Sequence, residues 1–194
     1  MQNTFIKLIL WVLVLCFLAG CVPVILTGVG VGAGAGALMV EDRRSSGMYI
    51  EDEGIELKTS RRIGERLGER VHVNVTSFNR NVLLTGEAPD ESTRREVEKL
   101  AMSIENVQNI SNEIIVGPKS SLSSRSNDSL ITSKVKARFI NNRVFQVNHI
   151  KVVTENGVVY LIGLVKHKEG ETATRIASTT ESVKKVVKVF EYLD

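Results

Sequence analysis

The chain has 194 residues, 43% apolar and 24% charged, which is the composition of a folded soluble protein with something apolar added, and room for one ordinary domain or two small ones. Two cysteines are too few for a disulfide-stapled scaffold. The net charge of +3 is the only feature that suggests a nucleic-acid binder, and 5% aromatic residues, too few for stacking platforms, argue against one.

The amino terminus carries the apolar addition. Residues 1–20 hold one charge, Lys7, followed by an uncharged apolar run from Leu8 to Leu18. A cationic start, a short apolar stretch and small residues at the end are the plan of a secretory signal. The run is too short to span a ~30 Å hydrocarbon core comfortably. Leu18-Ala19-Gly20-Cys21 resembles the lipobox of bacterial lipoproteins. That resemblance implies cleavage before Cys21 and acylation of its thiol, and Val22 after it implies export to the outer membrane. Cys16 would leave with the signal, so the mature chain would depend on packed cores alone. Two or three acyl chains on one residue hold a protein firmly to a membrane.

Residues 22–40 are uncharged and Gly-rich. Gly28-Val29-Gly30 with Ala33 matches the spacing of a dinucleotide loop, but no βαβ unit surrounds it, so no cofactor is expected. A tether over residues 21–50 is the better reading, with Glu41 to Gly47 marking the exit into water.

The remainder repeats itself. Asn74 to Gly86 aligns with Lys151 to Gly163 in constant register, and Leu100-Ala101 and Glu105-Asn106-Val107 recur as Ile176-Ala177 and Glu181-Ser182-Val183. The first copy, residues 51–116, predicts a helix over 55–67, strands over 71–76 and 81–87, a helix over 89–103 with Pro89 in its first turn, and a strand over 107–116. Glu51, Asp52 and Glu53 read as a solvated face or helix start. Residues 117–128 form a Ser-rich linker, flexible by composition. In the second copy, residues 129–194, Asp128 or Ser129 caps a helix that runs to about Asn142, with Ile131, Val135 and Phe139 buried. Strands over 150–154 and 158–165 flank a hairpin at Glu155-Asn156-Gly157, and a helix over 169–180 and a strand over 186–193 close the unit. Gly86 and Gly163 permit a bend or a close backbone approach. The fold class is therefore α+β: two tandem αββαβ units, each a small three-stranded mixed sheet packed on two helices.

This order of elements, with Asn-Val-x-Leu-x-Gly at Asn81 to Gly86, Val-Tyr-Leu-x-Gly at Val159 to Gly163 and a late Val-x-x-Val/Ile, resembles the BON domain. Two such units behind a lipobox are similar to the dual-BON-domain outer-membrane lipoproteins. The resemblance implies an anchored protein facing the periplasm that binds anionic phospholipid through its second BON domain, chiefly that domain's first helix, and supports outer-membrane integrity. It covers nearly all of the mature chain.

The residues themselves point to the same helix. Residues 51–116 carry a net −4 and residues 129–194 a net +5. With Ile131, Val135 and Phe139 buried, Leu130, Lys134, Ala137 and Asn141 form a stripe at least about 100° away, with Arg138 between the two faces. Leu130, Lys134 and Arg138 are thus the candidate phospholipid-binding residues: apolar insertion beside attraction to anionic head groups. The family often has an aromatic residue where this chain has Leu130, which implies a weaker interfacial anchor. The bland alternative is that Lys134, Lys136 and Arg138 merely solvate a helix and Leu130 packs on the other unit.

No catalytic constellation is expected. His72, His149 and His167 are scattered, none has a second ligand at metal spacing, and no serine sits in a nucleophile turn. A scaffold docking on outer-membrane protein assembly machinery or cell-wall enzymes is the alternative function.

Overall fold

A computed structural model describes residues 42–194. The signal, Cys21 and the Gly-rich tether up to residue 41 lie outside the described residues. Among the described residues no helix is long and apolar enough to cross a membrane.

The first unit opens on α1 (Ser46–Leu67), capped by Ser45, whose side chain accepts from the Met48 amide. The helix therefore starts nine residues before the predicted Ile55 and includes the end of the expected tether. Strands β1 (His72–Phe78) and β2 (Asn81–Ala88) form an antiparallel hairpin. Helix α2 (Glu91–Met102) follows with Asp90 as its cap, so Pro89 precedes the helix rather than sitting in its first turn. The predicted last strand is two short pieces, β3 (Asn109–Asn112) and β4 (Ile115–Val116), both parallel to β2. They are separated where Asn112 turns its own side chain onto the Ile114 amide.

The second unit repeats the plan with α3 (Leu122–Ile140), β5 (Ile150–Glu155), β6 (Val158–Val165), α4 (His167–Ser178) and β7 (Lys185–Tyr192). Strands β5 and β6 are antiparallel, and β6 and β7 are parallel over eight paired residues. Residues 122–128, expected to be flexible, are the first two turns of α3. Ser121, not Asp128 or Ser129, caps that helix by accepting from the Ser124 amide. The linker itself is pinned: Lys119 donates to the Glu69 carbonyl, and the Ser120 amide and hydroxyl both donate to Glu87.

Each unit has its own core. Ile55, Ile63, Leu67, Val82, Leu84 and Val97 anchor the first, and Ile131, Val135, Phe139, Val159, Leu161 and Ala173 the second. A third cluster joins Phe78 and Leu83 of the first sheet to Tyr160 and Ile162 of the second. The two sheets thus pack face to face with helices outside. This explains why β2 and β6 are buried on both faces, and why β6 reads as a nearly continuous apolar run instead of alternating. Gly86 and Gly163 serve the close approach expected of them: an added Cβ would lie 2.0 Å from the His72 carbonyl oxygen and 2.2 Å from that of His149.

Candidate functional site

In α3 the residues Asp128, Ile131, Val135 and Phe139 face inward at three- and four-residue spacing. The outward side carries Leu130, 63% exposed, and Ile140, 69% exposed, with Leu122 at the helix start and Val144 in the following loop also exposed. At 100° per residue, Leu122, Leu130 and Ile140 fall within about 80° of one another. Arg125, Lys134, Lys136 and Arg138 are the cations of the helix, and its one carboxylate, Asp128, is buried. Leu122, Ile140 and Val144 carry no signal in the sequence, because the Ser-rich composition of residues 117–128 reads as linker and the periodicity of the helix is set by Ile131, Val135 and Phe139.

The three sequence-predicted residues have different surroundings. Leu130 stands free of both cores on the outer face. Lys134 Nζ pairs with Glu181 Oε2 at 2.7 Å, and this hydrogen bond and charge hold the Glu181 carboxyl below its usual range. Both partners are well exposed, so solvent screens the pair and Lys134 is readily available to another anion. Arg138 is committed elsewhere. Its guanidinium donates to the Ile176 carbonyl at 2.8 Å, to Thr180 Oγ1 at 2.7 Å and to Thr179 Oγ1 at 3.0 Å. It thereby satisfies the carboxyl end of α4, where a cation is favoured by the unpaired carbonyls. Arg138 holds two helices together before it can do anything else.

The tether's exit is not solvated as expected. Arg44 is buried, with Asp42 and Asp52 on its guanidinium at 2.8 and 2.9 Å and the rings of Phe78 and Tyr49 on its faces. Burial pushes the Asp42 carboxyl up, but the hydrogen bonds and charge of Arg44 outweigh it and leave it lowered. Arg43 reaches the other unit, forking onto Glu169 with two bonds of 2.7 Å and donating to the Leu164 carbonyl at 2.9 Å. Glu169 borders the loop that carries Arg143 and Val144. Consecutive arginines therefore clamp the start of the described chain to both units, Arg44 to the first and Arg43 to Glu169 near the loop that follows α3.

Asp52, expected on a solvated face, is fully buried. It accepts from Ser77 Oγ at 2.7 Å and from the Asn79 and Arg80 amides at 2.8 Å, fixing a hairpin turn in which both residues have positive φ. Asp128 does the same for Asn156 and Gly157, at 2.9 and 2.8 Å. A carboxylate three residues before the first buried aliphatic of each leading helix, facing an Asn-led turn, was the sequence signal for both. Among the described residues no group of three His, Cys, Asp or Glu side chains could hold a metal ion.

Comparisons with known proteins agree with this architecture. The chain is 36% identical over 181 residues to the outer membrane lipoprotein DolP of Haemophilus influenzae, covering 92% of this chain and 91% of that one. It is 35% identical over 154 residues to a 21 kDa hemolysin of Actinobacillus pleuropneumoniae, covering 78% and 79%. Osmotically-inducible protein Y of Escherichia coli is 26% identical over 144 residues, covering 72% of each chain. The BON domain pattern matches residues 52–118 and again 127–194, the two structural units described above. The chain is a tandem member of the BON domain family.

Proposed function

We propose that this protein is an outer-membrane lipoprotein, acylated at Cys21 and facing the periplasm, whose second BON domain binds anionic phospholipid and thereby supports outer-membrane integrity without catalysis. The observation that carries this reading is the outer face of α3. There Leu130 and Ile140 stand exposed among basic side chains, while the helix's only acid is turned inward. Each cation near an anionic surface contributes about 1 kcal/mol, and inserting a leucine side chain into the acyl boundary adds at most about 2 kcal/mol. Neither is sufficient alone, but together with a covalent lipid they make a stable two-signal contact. Leu130 and Lys134 are the contact residues. Arg138 contributes charge from a position set by its bonds to α4. The clamp at Arg43 and Arg44 holds the start of the described chain near the loop that follows this helix, which favours simultaneous engagement of lipid anchor and helix face.

The test is co-sedimentation of acyl-free protein, residues 41–194, with zwitterionic and with anionic vesicles at low and moderate salt. Salt-sensitive binding to anionic vesicles alone is expected, with at least about a tenfold loss in Leu130→Glu/Lys134→Glu. Both substituted side chains are exposed, so the fold should survive. Absence of binding to either vesicle would sink the lipid reading. A docking scaffold for outer-membrane assembly machinery or cell-wall enzymes would then lead.

A further inference from the structure

The joint between the two domains is polar on one side, and one of its groups is incompletely satisfied. The β5–β6 turn of the second domain inserts there. Glu155, 4% exposed, accepts a hydrogen bond from the Asn74 side-chain amide of β1. Its other oxygen, Oε2, is buried without a hydrogen-bond partner. Next to it, Asn156 donates its side-chain amide to Glu87 of β2 at 2.8 Å and accepts from Ser124 Oγ, while Asp128 holds the backbone of the turn. Three carboxylates, Glu87, Asp128 and Glu155, thus converge on one turn, all nearly buried. Asp128 and Glu87 have their oxygens engaged by amides and hydroxyls, whereas Glu155 has a single bond.

We infer that the Glu155–Asn156–Gly157 turn is a proton-sensitive latch between the two BON domains, closed when Glu155 carries a proton and loosened when it is ionised. An unpaired carboxylate oxygen in a buried site costs far more than an unpaired carboxylic acid. The neighbours act in the same direction. Burial comes first, then the charges of Glu87 and Asp128, and these outweigh the Asn74 bond and the nearby Arg125, lifting the Glu155 carboxyl to about 7. Protons have a route in, because Glu155 lines a cleft of about 590 Å³ between β1, β5 and α3. Besides Asp128 and Arg125, the cleft wall carries His72, which is held below its usual value by burial and by Arg125 and Lys119, against the pull of Glu87. Tyr160, on the paired strand β6, is pushed up to about 12 by burial and by Glu113 and Glu155, and stays neutral throughout.

The two titrations oppose each other in sign. For Glu155 the closed joint keeps a proton that an open joint would release at the ordinary carboxylate value. Its stabilisation is complete in acid, falls as pH rises from about 4.5 to about 7, and is absent above that. His72 is more basic in the open joint, so its charging weakens closure as pH falls below its ordinary value. Removing the Glu155 carboxylate isolates the first effect.

The experiment follows amide hydrogen exchange at Asn156 and Gly157 in the full mature chain in detergent micelles, between pH 5.5 and 8 and corrected for the intrinsic rate, together with the Glu155 Cδ chemical shift. Protection at both amides should fall at least about tenfold across that range, with the Cδ midpoint near neutrality. Glu155→Gln should abolish the fall. Asn74→Asp, which faces Glu155 with a second carboxylate, should lower protection already at neutral pH and serves if Glu155→Gln misfolds. A Glu155 midpoint in the ordinary carboxylate range would overturn the inference, as would wild-type pH dependence in Glu155→Gln or unchanged protection in Asn74→Asp.

Discussion

In the first domain, Asp52 holds its hairpin turn and also pairs with a buried arginine; in the second, Asp128 holds the equivalent turn with no such partner. The turns differ accordingly. Arg80, a side-chain-bearing residue at φ 64, occupies the place that Gly157 fills at φ 79. The first domain tolerates this strained residue because Asp52 takes its amide and Glu51 its guanidinium at 2.8 Å. The outer faces diverge as well. Helix α1 exposes Ile50 and Leu57, but its exposed charges are of both signs: Glu53, Lys58, Arg61 and Glu65 among them. Helix α3 exposes apolar residues beside charges that are, on the helix itself, all cations, with Glu181 reaching Lys134 from outside the helix. Duplication preserved the buried carboxylate and the turn it serves, and left the surfaces free to take different partners.

The largest expected effect tests the shared hub. Asp52→Ala leaves the buried Arg44 guanidinium with Asp42 as its one remaining carboxylate and strands the Ser77 hydroxyl and the turn amides, and should cost about 3 kcal/mol in urea unfolding. Asp128→Ala leaves only amides unpaired and should cost about 2 kcal/mol. Equal losses would mean that Asp42 alone satisfies Arg44. The paired glycines come next. Gly86 combines φ 114 with a 2.0 Å approach, so Gly86→Ala should cost about 3 kcal/mol, against about 2 kcal/mol for Gly163→Ala, where only the approach to the His149 carbonyl is violated. The smallest effect sharpens the contrast between outer faces. Leu57→Glu on α1 should leave vesicle binding unchanged, whereas Leu130→Glu weakens it; a loss of binding in Leu57→Glu would place the first domain at the membrane too.

Most of the fold was legible because its determinants are local. The apolar spacing at Ile131, Val135 and Phe139, the Asn-Gly pair of the second hairpin and the matching registers of 74–86 and 151–163 each specify geometry within a short stretch. The candidate site was legible only in part. Leu130 and Lys134 lie outward as helical periodicity requires, while the commitment of Arg138 depends on residues 38 to 42 positions away. No periodic pattern encodes such a bond.

What sequence alone determined is the tandem repeat, the αββαβ order in each copy and the apolar inner face of α3, since periodicity and turn chemistry are properties of neighbouring residues. Only the tertiary structure decided that the Ser-rich stretch is helical. Ser120 and Lys119 are held by the first domain, Ser121 caps the helix and Asp128 is held by the second domain's hairpin, so low local apolarity is overridden by contacts from both sides. It likewise decided that Asp52 lies buried, that two sheets share a third core, and that Glu155 meets Asn74 across the joint. Each of these joins residues far apart in the chain, and their energies come from excluding water around polar groups that a linear pattern records only as hydrophilic.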